Sequence, residues 1–203
     1  MKTVSRAMRI AREEHRLQLR KDGKTPFINH PLELYEILLD NDILDEDILS
    51  ASLLHDVIED TEYTELDMNK SMGKDITKIV LECSDDKNLS KIERKSLQIS
   101  HSLEISEKAV IVKLVDKIAN LNSVIEFPSV GWDNDRIIGY TVWSKKVVDS
   151  LYNNVNVDLY RDKVNSLLNV HTFLVLELFE NYKMDLNNSE EIYDLYIEKL
   201  SKK

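Results

Sequence analysis

Apolar positions recur at helical spacing along most of this chain, and short polar breaks divide them into segments. Over residues 3–19, Ala7, Ile10, Ala11 and Leu17 are interleaved with Arg and Glu, the pattern of an amphipathic helix. A basic turn follows, from Arg20 and Lys21 through Asp22, Gly23, Lys24 and Thr25 to Pro26. Pro31, at a first helical turn, opens a helix over 32–39 that Asn41 and Asp42 break. Further helices are predicted at 46–59, from Thr64 to a stop or turn at Gly73, at 74–83, around 92–99 after a polar loop, and at 106–125. A loop over 127–132 containing Pro128 leads to helices at 133–153 and 156–182, and a polar link at 185–189 leads to a last helix at 190–201. The predicted fold class is all-α: one helical core over about 1–155, with a C-terminal helical extension over 156–203.

Composition supports that reading. The 203 residues include four glycines and three prolines, against about two dozen at average usage. So few turn formers argue against a sandwich or barrel of many short strands. With 27 Lys plus Arg against 37 Asp plus Glu, the formal net charge is −10. That balance argues against a general binder of nucleic-acid polymers or membrane surfaces, so any anionic ligand needs a local cluster of positive charge. No stretch approaches a membrane span, and the charged N-terminus has no signal-peptide core. The lone Cys83 excludes an internal disulfide and fits a reducing, cytoplasmic location.

The informative anomaly is charge inside apolar helices. In DILSASLLHDVIEDT, Ile48, Leu49, Ala51, Leu53, Leu54, Val57 and Ile58 surround the helical wheel, so this helix should be buried on nearly all sides. It nevertheless carries His55, Asp56, Glu59 and Asp60, paired at i, i+4 as His55 with Glu59 and Asp56 with Asp60. AVIVKLVDKIANL repeats the pattern with Asp116 and Asn120, and His30 precedes Pro31. Burying several carboxylates without partners is prohibitively costly, and a cation is the natural partner. Two imidazoles and two carboxylates suit manganese or iron, with zinc also open; without cysteine ligands the set does not read as a structural zinc site. Singly, each of these residues is more often a cap or a satisfied core group. As a set they point to a metal. His15, His101 and His171 read as structural.

Positive charge clusters at Arg20, Lys21 and Lys24, at Lys87, Lys91, Arg94 and Lys95, and at Arg136. Arg94 and Lys95 read as solvated helix face. Leu174, Leu176, Leu178 and Phe179 fit either intramolecular core, the commoner case, or a contact between copies in a homo-oligomer.

FINHP, LLHDVIEDT, SDDKNLSKIERKSLQ and VKLVDKIANL, followed by Gly131-Trp132 and the run Arg136, Tyr140, Trp143, together resemble the HD-domain phosphohydrolases. More narrowly, they resemble the RelA/SpoT superfamily's stand-alone small alarmone hydrolases, including metazoan SpoT homologues, over about residues 3–155. The resemblance implies an HD-domain helical bundle that removes pyrophosphate from the 3′ position of (p)ppGpp with Mn2+ as cofactor. By that likeness His30, His55, Asp56 and Asp116 fall on metal-ligand positions, and Glu59 and Asp60 on the acidic pair that handles the attacking water. Arg20, Lys21, Lys91, Asn120, Arg136 and Tyr140 fall on substrate-contacting positions. Asn122 stands where relatives often have Arg, and Ser84 where Thr is common. Between the two acids, Glu59 is the favoured base and Asp60 its partner, one turn beyond the ligands. A nucleotide is thus the expected small-molecule partner. The same site also fits removal of the 2′-phosphate of NADPH or hydrolysis of another nucleotide, and a non-catalytic nucleotide sensor is a third reading.

Overall fold

The computed structural model describes residues 2–127 and 131–201, and within them the chain is helical with no strand, apart from one isolated bridge between Leu19 and Pro26. The order is α1 (Lys2–Glu14), α2 (Asn29–Asp40), α3 (Glu46–Leu54), α4 (Val57–Asp60), α5 (Glu65–Met72), α6 (Lys74–Cys83), α7 (Lys91–His101), α8 (Glu107–Glu126), α9 (Asn134–Tyr152), α10 (Arg161–Asn181), a 3-10 turn (Leu186–Asn188) and α11 (Ser189–Ser201). Of the predicted loop 127–132, residues 128–130 with Pro128 lie outside the described residues.

Helix starts follow local chemistry. Asp45 caps α3 by accepting from the amides of Asp47 and Ile48, and Ser106 and Asp133 do the same for α8 and α9. Thr64 with Asp67, and Ser90 with Glu93, form capping boxes at α5 and α7. Two helices are the organising members. Every residue of α3 from Ile48 to Leu54 is buried, and α1, α2, α6 and α8 pack around it. α8, buried along most of its length, carries that core across to α9 and α10.

Three boundaries differ from the sequence pattern. The first helix stops at Glu14 rather than running to residue 19, because the chain turns at His15 and Gln18 crosses to donate to the Asp60 carbonyl at 2.7 Å. The helix expected over 46–59 is interrupted at His55 and Asp56. The helix expected from 156 begins at Arg161, since Asn154 spends its amide on the carbonyls of Ser102 and Ile105 and holds a turn there.

The C-terminal helices share the core. α10 packs on α8 and α9, and Leu174, Leu178 and Phe179 are buried in the same apolar cluster while Leu176 stays half exposed. His171 is buried against the Ser144 hydroxyl, 2.9 Å away, a structural role. The interhelix ties also include Asp45, whose carboxylate takes Lys108 at 2.9 Å and the Tyr160 hydroxyl at 3.0 Å besides capping α3. Asp45→Ala should therefore cost about 1–2 kcal/mol, seen as a lower urea midpoint at unchanged slope, and Asp45→Asn, which can still cap, should cost less. Equal losses for the two variants would assign Asp45's contribution to its charge rather than to the cap.

Candidate active site

His55 and Asp56 occupy the interruption between α3 and α4. Both keep right-handed backbone angles, with φ of −57° and −97°, and the Asp56 carbonyl still accepts from the Asp60 amide at 2.8 Å. The break therefore leaves Glu59 and Asp60 one turn beyond the His-Asp pair. His30 comes from the first turn of α2 and Asp116 from the middle of α8. Rings pack in sequence from His15 to Phe27 (4.8 Å), Phe27 to His30 (5.9 Å) and His30 to His55 (5.2 Å), which fixes the two imidazoles edge to face.

The polar atoms of these four side chains converge. His55 Nε2 is 3.1 Å from Asp56 Oδ2 and 3.8 Å from Asp116 Oδ1. His30 Nε2 is 3.1 Å from Asp116 Oδ1 and 3.9 Å from Asp56 Oδ2. One ligand atom each from His30, His55 and Asp56 lies within 4.8 Å of the others, a possible His-His-Asp metal site, with Asp116 against both rings. Because His55 Nδ1 lies 2.8 Å from the Ser52 carbonyl, which can only accept, Nδ1 carries the hydrogen. Nε2, which is buried, is left to face the two carboxylates, Asp56 being the nearer.

The charges explain what that arrangement needs. Burial alone would push His55 down, but the Asp56 charge and hydrogen bond and the Asp116 charge raise it to about 9. Burial would raise Asp56, yet His55 and His30 hold it at about 2. Burial likewise opposes ionisation of Asp116, and Lys117, His30 and His55 hold it well below the carboxylate range. A proton on His55 thus does in the metal-free protein what a divalent cation would do better, and the mixed N/O donor set fits such a cation. Cys83 lines the same cavity, and burial pushes its thiol up to about 12.

Glu59 and Asp60 line the cavity beside this centre. Glu59 Oε2 accepts the Asp85 amide at 2.8 Å, with Lys87 Nζ 3.3 Å and Arg94 3.9 Å from Oε1. Burial, with the charges of Asp85 and Asp56, raises the Glu59 carboxyl above its ordinary range. Asp60 is ion-paired with Lys87. Arg94, read from the sequence as solvated helix face, instead reaches toward Glu59. Lys95 departs further from that reading: it is buried, its ammonium 3.3 Å from the Trp143 ring centroid. Both sit on the inward side of α7, whose weak apolar pattern hid its orientation.

The cavity has a volume of about 510 Å³, and basic and aromatic side chains line it together with the acidic pair. Arg20 donates to the Ser123 hydroxyl at 2.8 Å and faces Glu33 at 3.9 Å. Lys21 and Arg136 lie over the Trp132 ring at 5.2 and 4.6 Å, and Tyr140 packs edge-on to Trp132 at 5.3 Å. Burial first, then Lys91, Arg136 and Arg20, lowers the Lys21 ammonium, as expected where like charges await an anion. Arg20, Lys21, Asn120 and Tyr140 line the cavity directly; Lys91 and Arg136 are not part of that lining, Arg136 lying over the Trp132 ring. Asn120 donates to Asp116 Oδ1 at 2.6 Å, so here it orients a carboxylate of the His-Asp cluster. Asn122 donates to Glu33 at 3.3 Å. Lys117, which the sequence reading passed over, pairs with Asp116 Oδ2 at 2.9 Å; a lysine next to a buried aspartate in an apolar helix was the available signal.

Residues 7–130 match the family model of the HD domain. The guanosine-3′,5′-bis(diphosphate) 3′-pyrophosphohydrolase MESH1 of Drosophila melanogaster is 42% identical over 160 residues, 77% of this chain and 89% of that protein. MESH1 of Homo sapiens is 40% identical over 144 residues, covering 70% and 80%. A solved structure of a metazoan orthologue of SpoT that hydrolyses ppGpp and plays a role in starvation responses is similar with a TM-score of 0.74 and 38% identity, covering 83% of this chain and 95% of that one.

Because a cation at this centre must displace the His55 proton, binding should release about one proton at neutral pH. Apparent affinity for Mn2+ should fall about tenfold for each pH unit below 9, until the carboxylates also protonate. Titration calorimetry in buffers of different ionisation enthalpy measures the release. A pH-independent affinity between 6 and 8 would contradict the assignment of the proton to His55.

Proposed function

This chain belongs to the HD-domain family, alongside the RelA/SpoT-type hydrolases, and on that footing we propose that it removes pyrophosphate from the 3′ position of (p)ppGpp. Water converts ppGpp to GDP and pyrophosphate, or pppGpp to GTP and pyrophosphate. The observation that carries this reading is one cavity that joins a His-His-Asp cluster, a raised-pKa carboxyl and a basic aromatic wall. A highly charged nucleotide needs all three, and a protein of net charge −10 offers such an anion few other places to bind.

His30, His55, Asp56 and Asp116 would hold the divalent cation, with Mn2+ favoured by the mixed imidazole and carboxylate donors. When bound, the cation supplies charge neutralisation for phosphoryl oxygens and makes a nearby water more acidic. The rest is the work of this chain's own side chains. Glu59 accepts the proton of the attacking water; its raised carboxyl pKa brings it nearer to neutral pH, where a base transfers protons efficiently. Lys87 bridges Glu59 and Asp60, and Asp60 is the partner that orients the water. Arg20 and Lys21, together with Lys91 and Arg136, neutralise the two diphosphates, and Tyr140 and Trp132 offer ring surface to the nucleoside.

Purified protein with Mn2+ should release pyrophosphate from ppGpp with kcat/KM well above that for NADPH. Greater kcat/KM for NADPH would make it a 2′-phosphatase on the same site, and no turnover with any divalent metal would overturn the enzymatic reading. Glu59→Gln should lower kcat by about 10²–10⁴-fold while Mn2+ still binds. The wild-type acid limb of kcat/KM should lie above the ordinary glutamate range: activity is lost as pH falls through the raised Glu59 pKa. Unchanged kcat in Glu59→Gln would move the base to Asp60.

A further inference from the structure

The C-terminal helix α11 lies outside the HD match of residues 7–130, yet it is seated directly behind the cavity wall. It packs on α9 and α7, and its Tyr196 is only 4% exposed. The seat is shaped for that ring. Gly139 of α9 faces it, and a Cβ on Gly139 would lie 2.5–2.7 Å from Tyr196 Cβ, Cγ and Cδ2, closer than atoms can approach. A glycine inside a helix is destabilising relative to alanine, so α9 carries a local cost at the one place where Tyr196 docks. Next to Gly139 in sequence is Tyr140, which lines the cavity.

Between the two tyrosines sits Lys95 of α7. Its ammonium lies 3.3 Å from the Trp143 centroid, 4.9 Å from Tyr140 and 5.2 Å from Tyr196. The Trp143 indole in turn donates to the Lys95 carbonyl at 3.0 Å. Three ring faces from two helices therefore enclose one buried cation contributed by a third. Burial, then the charges of Lys117, Lys91 and Lys21, pushes the Lys95 ammonium well below the lysine range. The ring faces oppose that push, since an aromatic quadrupole stabilises only the charged amine.

We propose that Tyr196 is a positioning residue for the substrate pocket: by closing the aromatic box around Lys95 it fixes the ring of Tyr140, and through Trp132 the basic wall formed by Lys21 and Arg136. The contacts run without a gap. Tyr196 faces Lys95, Lys95 faces Tyr140, Tyr140 packs on Trp132 at 5.3 Å, and Trp132 carries Lys21 and Arg136. None of these residues belongs to the metal set or the acidic pair. The box acts on how tightly the nucleotide is held, not on the chemical step. This proposal rests on the reading of the cavity as a nucleotide site.

The experiment compares Tyr196→Phe, Tyr196→Leu and Gly139→Ala in the full chain with Mn2+ and ppGpp, reading kcat and KM separately and recording intrinsic fluorescence. Trp132 and Trp143 are the two tryptophans of the chain, and both belong to the network. Leucine preserves apolar burial but has no ring face, and alanine at 139 displaces the ring from the opposite side while favouring the helix itself. Tyr196→Leu and Gly139→Ala should each raise KM about three- to tenfold with kcat within about twofold, and each should shift the tryptophan emission. Tyr196→Phe should restore wild-type KM and emission. Unchanged KM and emission in folded Tyr196→Leu would overturn the proposal, as would a fall in kcat matched by weaker Mn2+ binding. If one substituted chain fails to fold, the other decides. If wild-type protein does not turn over ppGpp, the functional reading fails by itself, while the emission of the Leu and Phe variants still reports whether the box exists.

Discussion

Two carboxylates and two imidazoles converge in one partly buried cluster, and most of this fold can be understood as the means of holding them there. Asp56 and Asp116 cannot both remain ionised at that depth without positive charge between or beside them. The protein meets the need partly with Lys117 on Asp116 and a proton on His55, and a bound cation would complete it. The apolar surround is what makes the cluster demanding. α3 is buried on every side up to Leu54, so the residues that follow it, His55 and Asp56, are delivered into the interior. α8 is buried on both flanks of Asp116 and delivers its carboxylate from the other direction.

Charge of both signs lines the cavity. Asp56 and Asp116 gather with the imidazoles and Lys117 pairs with Asp116, while Lys21, from the turn after α1, and Arg136, from the start of α9, lie over Trp132. The chain's net charge of −10 is therefore a poor guide to its ligand: part of it is the metal cup, and what a nucleotide would meet at the wall is positive. Glu59 is held by an amide, a lysine and a nearby arginine. Those contacts would suit a group proposed to accept a proton next to a phosphate.

The all-helical class was legible in the chain because helical periodicity and scarce turn formers act locally. The charged cluster was legible for a related reason: an apolar helix with His55, Asp56, Glu59 and Asp60 in it violates its own pattern, and that violation needs no tertiary knowledge to see. What could not be read was depth and orientation. Lys95 and Arg94 look like surface charges because α7 has few apolar residues to mark its inner face; only the packing of α9 and α11 on it reveals that Lys95 is enclosed. Lys117 drew no notice in the sequence because adjacency to Asp116 does not say where its ammonium lies; the packed structure puts it on that carboxylate. The break at His55 was invisible for a different reason, since no glycine or proline marks it. The C-terminal helices showed their apolar stripe but not its partner, which is the same core as the rest.

The account stands on the identity of the groups around the cation. Electron-nuclear double resonance on Mn2+ bound to the full chain reads them directly, through hyperfine coupling to ligand nitrogen. One bound Mn2+ per chain, coupled to two imidazole nitrogens with one coupling lost in His55→Ala and one in His30→Ala, is the predicted result. A bound Mn2+ with no nitrogen coupling, or couplings that survive both substitutions, would place the ion elsewhere and contradict the account.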